Sequence, residues 1–291
     1  MILLFLVQTL RIAVPFLFAA AGGALSERAG VVALALEGFM LGGAFGAVVG
    51  SHYTGSAWIG VIAGVAAGLF LGLIHAVASI RFRADQVVTG VAINLFAIGA
   101  TRFFLDLAFD SSSNSPRVAG FGGEGVSGAW ALVANPLVWL GVLVIPVLAW
   151  LIARTAFGLR VRAVGEHPEA AASVGVPVSR TRYAAVLGSG ALAALGGVYL
   201  ALDQHQFTDN MTAGRGFIAL AAVIFGRWQP VRVGIACLLF AAAETMQIQL
   251  QAAQLIPSQF VAMIPYVLTI VAVAGVVGRS NPPGALNRAV G

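Results

Sequence analysis

The sequence predicts an all-α integral membrane protein of about eight to nine hydrophobic helices, some short or re-entrant, arranged as inverted repeats in one transmembrane domain over residues 1–291. Three observations predict it. Of 291 residues, 59% are hydrophobic and only 9% charged, against the roughly 25% charged that is usual for soluble domains. Apolar runs recur along the chain, most of them long enough to cross a ~30 Å hydrocarbon layer as helices. A pattern that begins at Ser26 returns at Ala213.

The runs cover residues 3–25, 30–50, 57–80, 86–107, 132–153, 184–203, 214–226, 231–251 and 257–278, and the run at 214–226 is too short to span. The first carries Gln8 and Arg11 inside it and no charge ahead of it, so it reads as a retained helix and not as a cleaved signal. Gly42, Gly46 and Gly50 in the second run, and Gly60, Gly64, Gly68 and Gly72 in the third, recur every four residues. That spacing lets helix backbones meet where no hydrophobic force drives them together. In the fourth run Arg102 and Asp106 stand one helical turn apart and are expected to pair. The longest polar interruptions, 110–129 and 154–182, leave no room for a soluble domain.

Arginine placement sets the expected orientation. Arg81 and Arg83, then Arg154, Arg160, Arg162, Arg180 and Arg182, then Arg279 and Arg288 mark three cytoplasmic stretches, whereas the 110–129 loop holds only Arg117 and is expected outside. This puts the N-terminus outside and the C-terminus in the cytoplasm. SERAGVVALALEG (Ser26 to Gly38) and AGRGFIALAAVIFG (Ala213 to Gly226) then run in opposite directions through the membrane. Residues 5–107 and 184–277 accordingly read as inverted repeats linked by the 132–153 run, an architecture of transporters.

Composition also excludes chemistry. All sixteen basic residues are arginines, so the chain has neither a Walker lysine nor a Schiff-base lysine. The net charge of +5 gathers at helix ends as an orientation signal, which removes the nucleic-acid reading. Cys237 is the single cysteine, and His52, His75, His167 and His205 are scattered, so neither a disulfide framework nor a metal set is expected. No catalytic residue is assigned. The polar residues inside apolar runs are the better lead, since they should face protein or water and not lipid. Glu37, Asn94, Glu244, Gln247 and Gln251 are candidates for a translocation path, the last three sharing one helix face. The same residues can instead hold helices together, and Glu37 can accept the freed amides of a broken helix.

The 154–182 stretch contains GEHPEAAASVG, Gly165 to Gly175. Proline at the first helical position, an acidic residue in the first turn, a run of good helix formers and a closing glycine specify a short autonomous helix. Held between arginines at the cytoplasmic surface, it is suited to touching another protein.

In the order SERAGVVALALEG, VVTGVAINLFAIG, LRVRAVGEHPEAAASVGV and GRGFIALAAVIFGRW, nearly the whole chain resembles the permease subunits of bacterial ABC importers for simple sugars, nucleosides and branched-chain amino acids. GEHPEAAASVG is the most specific part, and the resemblance implies that Gly165, Glu166, His167, Pro168, Glu169, Ala170, Ala171 and Gly175 form a coupling helix that docks on a cytoplasmic ATPase. The opening TLRIAVPFLFAAAGGALSERAGVV and the short length are similar to the smaller of two permeases in nucleoside importers.

The implied assembly has a second, larger permease, an ATPase with two nucleotide sites that uses ATP and magnesium, and an extracytoplasmic substrate-binding lipoprotein, all at the bacterial plasma (inner) membrane. This chain would hold no cofactor and bind no nucleic acid. The implied activity is ATP-driven import of a nucleoside, with simple sugars or branched-chain amino acids as the alternative cargo. A stand-alone secondary transporter is a further alternative, but it has no need of a docking helix. Two positions depart from the family pattern: Ala33 stands where V-N-L-x-L-E-G has asparagine, and His167 where E-N-P-E-A-A has asparagine, a better N-cap.

Overall fold

In the computed structural model, which describes residues 2–121, 133–253 and 282–287, the apolar runs are helices. They are α1 (Ile2–Arg28), α2 (Leu36–Thr54), α3 (Ala57–Ala76, prolonged by a π-helical turn Val77–Arg81), α4 (Gln86–Phe109), α5 (Pro136–Arg154), α6 (Ala156–Glu166), α7 (Pro168–Ser173), α8 (Val178–Gln204), α9 (Arg215–Phe225) and α10 (Pro230–Ala253). Among the described residues there is no strand, and six helices, α1, α3, α4, α5, α8 and α10, are long and apolar enough to cross a membrane. The expected 257–278 run, Arg279, Arg288 and the 122–129 part of the polar loop lie outside the described residues.

Helix α8 lies deepest, packed against α1, α2 and α3. The glycine stripes are what let it sit there. A Cβ on Gly68 would stand 2.5 Å from the Gly190 carbonyl oxygen of α8, and one on Gly64 would stand 2.6 Å from the Gly43 carbonyl oxygen of α2. On α2, Gly46 and Gly50 face Ala63, Gly64 and Gly60 of α3 in the same way, so the four-residue spacing does bring backbones together.

The second apolar run is not helical from its start. The chain leaves α1 at Arg28, turns at Gly30 (φ +86°), and passes through a non-helical stretch before α2 begins at Leu36. The short run near 214 is a helix of 11 residues, too short to span, as its length implies.

Long-range hydrogen bonds define two ends of the bundle. At one end the segment after α4 lies along the segment after α8, with Ser115 N–H donating to the Phe207 carbonyl (2.9 Å), Val118 N–H to His205 (2.8 Å) and Asp209 N–H to Ser113 (2.8 Å). At the other end α6 packs on the close of α1, and the Ala285 N–H donates to the Gly165 carbonyl at 2.8 Å.

One local expectation is corrected: Arg102 and Asp106 are both exposed and form no ion pair. The base precedes the acid, the less favourable order for this spacing, and an exposed pair gains too little to hold two side chains in one geometry.

Candidate translocation and coupling sites

Three groups of polar side chains occupy the apolar interior, and each does something different. The first surrounds the break between α1 and α2, whose exposed backbone groups would otherwise be unpaired in an apolar setting. Asn94 of α4 bridges it, its Oδ1 accepting from Gly38 N–H and its Nδ2 donating to the Leu34 carbonyl, both at 2.8 Å. Gln86 Oε1 accepts from Val32 N–H (2.8 Å), His75 Nε2 lies 3.3 Å from the Val32 carbonyl, Glu27 accepts from Ala33 N–H, and Ser26 donates to the Val31 carbonyl. Every one of these side chains is buried. Glu27 also accepts from the Trp228 indole, while Arg28 donates to the Trp228 carbonyl, which ties the break to the turn between α9 and α10.

The second group is built on Glu37, in the first turn of α2 and buried. Its carboxylate accepts from the Thr212 hydroxyl (2.6 Å), Gly214 N–H (2.8 Å) and Gly216 N–H (2.6 Å). Glu37 thus caps the amino end of α9, where the peptide dipoles favour negative charge. Gly216 has no Cβ because one would fall 2.5 Å from the Glu37 backbone nitrogen.

The third group is only half buried. Arg215 at the start of α9 pairs with Glu244 of α10 at 2.9 Å, and Arg11 of α1 pairs with Asp203 of α8 at 2.8 Å. A cavity of about 250 Å³ lies between them, lined by Gln8, Arg11, Tyr199, Asp203, Gln204 and Arg215 among others. Gln249 donates to Gln8 across the seam of α1 and α10 (3.2 Å). Gln247 and Gln251 follow Glu244 on α10, are partly exposed, and hydrogen-bond no described side chain. The structure therefore separates the five candidates: Asn94 and Glu37 are internal and matched to backbone groups, whereas Glu244, Gln247 and Gln251 on α10 are only partly buried.

At the opposite end stands α7. Pro168 is its first residue, Glu169 lies in its first turn, and Gly175 follows in the left-handed region (φ +84°), as the sequence pattern implies. His167 occupies the N-cap without a side-chain hydrogen bond. Glu166, His167, Glu169, Ala170 and Gly175 are exposed, but Ala171 is buried against Val164 of α6 and Val178 of α8. The small helix is thereby clamped to two others. Gly165 rests so closely on α1 that a Cβ would overlap the Arg28 carbonyl, and the Glu166 carboxylate accepts from Gly284 N–H at 3.1 Å. These contacts join α7 to α6, α8 and the end of α1.

Sequence reasoning missed Gln86, His75 and Glu27 around the break, the Arg11–Asp203 and Arg215–Glu244 pairs, and Val174. Val174 leaves 77% of its surface exposed at the tip beside α7. A large aliphatic beside a closing glycine on a polar loop was the available signal.

Comparison with known proteins shows the family of the chain. Residues 5–273 match the family described as branched-chain amino acid transport system / permease component. The guanosine ABC transporter permease NupQ of Bacillus subtilis is 39% identical over 95% of this chain and 93% of its own length. The nucleoside ABC transporter permease NupC of Lactococcus lactis is 35% identical over 93% of this chain and 91% of its own. TsgC13 of Haloferax volcanii, an ABC permease whose name points to glucose, is 36% identical over 85% of this chain and 78% of its own. The same two bacteria have a second permease for guanosine (NupP) and nucleosides (NupB), each 24% identical to this chain. These relatives are transporter permeases and not enzymes, and their permease character matches six apolar helices of spanning length. The chain belongs to the family of branched-chain amino acid transport system permease components, multi-pass proteins of the membrane.

Proposed function

We propose that the chain is the smaller permease of an ATP-driven importer of nucleosides. The observation that carries the reading is α7: a clamped helix of six residues that presents His167, Glu169, Ala170 and Val174 outward at one end of the membrane helices. Its rigid seat on α6 and α8 suits it to receive motion from a separate ATPase that binds ATP and magnesium. The purine or pyrimidine nucleoside cargo is supported by the names of NupQ and NupC, and the second, larger permease by the presence of NupP and NupB beside them. An extracytoplasmic lipoprotein would deliver the substrate.

The single domain reads as two inverted repeats. In each half a long helix, a break and a shorter helix precede another apolar helix: α1, 29–35, α2 and α3 in the first, α8, 205–214, α9 and α10 in the second. The arginine asymmetry orients them with the 110–121 segment outside and α7 and the C-terminus in the cytoplasm. Cysteines placed at Ser113 and Ser179 test this: an impermeant reagent on intact cells should label the first and spare the second, and the reverse result inverts the topology.

The translocation path is assigned to the face that carries Arg11, Asp203, Arg215, Glu244, Gln247 and Gln251, against the second permease. Uptake of labelled guanosine into right-side-out vesicles that hold the whole complex, with ATP inside, separates the alternatives. Dependence on ATP, with competition by nucleosides and none by glucose, is the expected result. Uptake driven by an ion gradient without ATP would make the chain a secondary transporter, and competition by glucose alone would assign it to sugars, the cargo named for TsgC13.

A further inference from the structure

A second cavity, of about 350 Å³, lies between the π-helical turn that ends α3 and the first turns of α8, and the proposed transport role does not use it. Its walls are Arg81, Arg83, Arg182, Ser79, Ser179 and Tyr183, together with the aliphatic Ile80 and Val178. No carboxylate is among them. The nearby Asp85 accepts from Val87 and Val88 N–H groups at 2.9 Å as the N-cap of α4. Among the described residues Arg81 and Arg83 form no ion pair, and Arg182 is buried at the cavity wall. Positive charge is therefore concentrated in a concave site whose lining supplies hydroxyl and guanidinium donors and no anion.

The location decides which anion. Arg81 ends one candidate membrane span and Val178 begins another, so the cavity sits at the level where hydrocarbon gives way to headgroups. On either side the helices carry exposed apolar side chains: Phe70 and Leu73 of α3, Phe82 at the turn, Val88 and Val91 of α4. Phosphate-type donors at the boundary, on helices that also carry exposed apolar side chains, match an amphiphile with an anionic head and acyl tails.

We propose that this cavity is a binding site for the phosphate of an anionic phospholipid, held by the exposed Arg81 and Arg83 with help from Ser79 and Ser179. The tails lie on α3 and α4. Since these residues flank α7 through α8, bound lipid steadies the end of the bundle that receives the ATPase.

The test uses the full complex in nanodiscs of phosphatidylcholine alone or with about one third phosphatidylglycerol. Each basic residue near an anionic surface is worth about fivefold in binding, so the R81Q/R83Q double variant should bind phosphatidylglycerol roughly 25-fold more weakly by native mass spectrometry. It should also lose the rise in melting temperature that phosphatidylglycerol gives the parent, while R81K/R83K keeps most of it. The single variant R83Q provides the same reading, at about fivefold, should the double variant assemble poorly. Inorganic phosphate added to phosphatidylcholine nanodiscs should not substitute. Unchanged phosphatidylglycerol affinity in R81Q/R83Q overturns the site. Equal protection by inorganic phosphate overturns the lipid assignment, and loss of the ATPase from the variant in phosphatidylcholine alone would make the cavity a subunit contact instead.

Discussion

The break between α1 and α2 and the stretch of α10 from Glu244 to Gln251 hold the same kinds of residue in the same kind of apolar sequence, and their fates are opposite. Around the break every amide and carboxylate is buried and matched to a backbone group: Asn94 to Gly38 and Leu34, Gln86 to Val32, Glu27 to Ala33, Glu37 to Gly214 and Gly216. On α10 Glu244 pairs with Arg215 of α9 with 18% and 24% of their side chains exposed, and Gln247 and Gln251 hydrogen-bond nothing described. A buried polar residue with all its partners is structural mortar for a non-helical backbone. One left partly exposed without a described hydrogen-bond partner within a membrane span, as Gln247 is, should face water or protein and not lipid.

Four substitutions sharpen or break that contrast. Glu37→Ala should act most strongly, because it strips three donors at the start of α9 of a charged acceptor. A loss of about 3–5 kcal/mol is expected, read as a collapse of melting temperature and yield in detergent. Asn94→Leu comes next, at about 2–4 kcal/mol, since Gly38 N–H and the Leu34 carbonyl would be left buried and unpaired. A stable Asn94→Leu protein with specific loss of uptake would move Asn94 from mortar to path.

Gln247→Leu should shift stability by no more than about 0.5 kcal/mol, while uptake falls severalfold with basal ATP hydrolysis retained. Unaltered uptake kinetics would remove the α10 face from the path. The smallest effect on uptake is expected of His167→Asn, which supplies the side-chain cap that α7 lacks. A gain of about 0.5–1 kcal/mol is expected as slower hydrogen exchange at Ala171 and Ala172.

How far these residues were readable in the sequence follows from the range of their partners. The bounds of helix α7 were legible because Pro168, Glu169 and Gly175 act within a few residues of one another, but the helix is not autonomous as its pattern implied, being packed on α6 and α8. The glycine spacing of α2 and α3 was legible for the same reason. Glu37 was expected to accept amides at a helix break, which it does, but the amides belong to Gly214 and Gly216, far along the chain, and no local pattern names them. The break at 29–35 was invisible because VVALA is as apolar as the helices around it, and its partners Gln86 and Asn94 come from another helix. Ala171 looked like one more small residue on a solvated helix, yet contacts with Val164 and Val178 bury it. The pairing of Arg102 with Asp106 was over-read from spacing alone, without weighing residue order and exposure.

The central claim is that α7 transmits ATP-driven motion, and Ala171→Pro tests it most directly, with Val174→Asp as its companion. Proline at 171 removes the hydrogen bond from Ala171 N–H to the His167 carbonyl and the packing on α6 and α8, at about 3 kcal/mol or more. Val174→Asp disturbs no internal packing, since that side chain is exposed, and strikes only what docks there. Substrate-stimulated ATP hydrolysis and uptake are measured together in the reconstituted complex. The account predicts that both variants insert normally and that both lose stimulation and uptake. Normal transport by both, with the ATPase still bound, would reduce α7 to an ordinary cytoplasmic turn and contradict the coupling role.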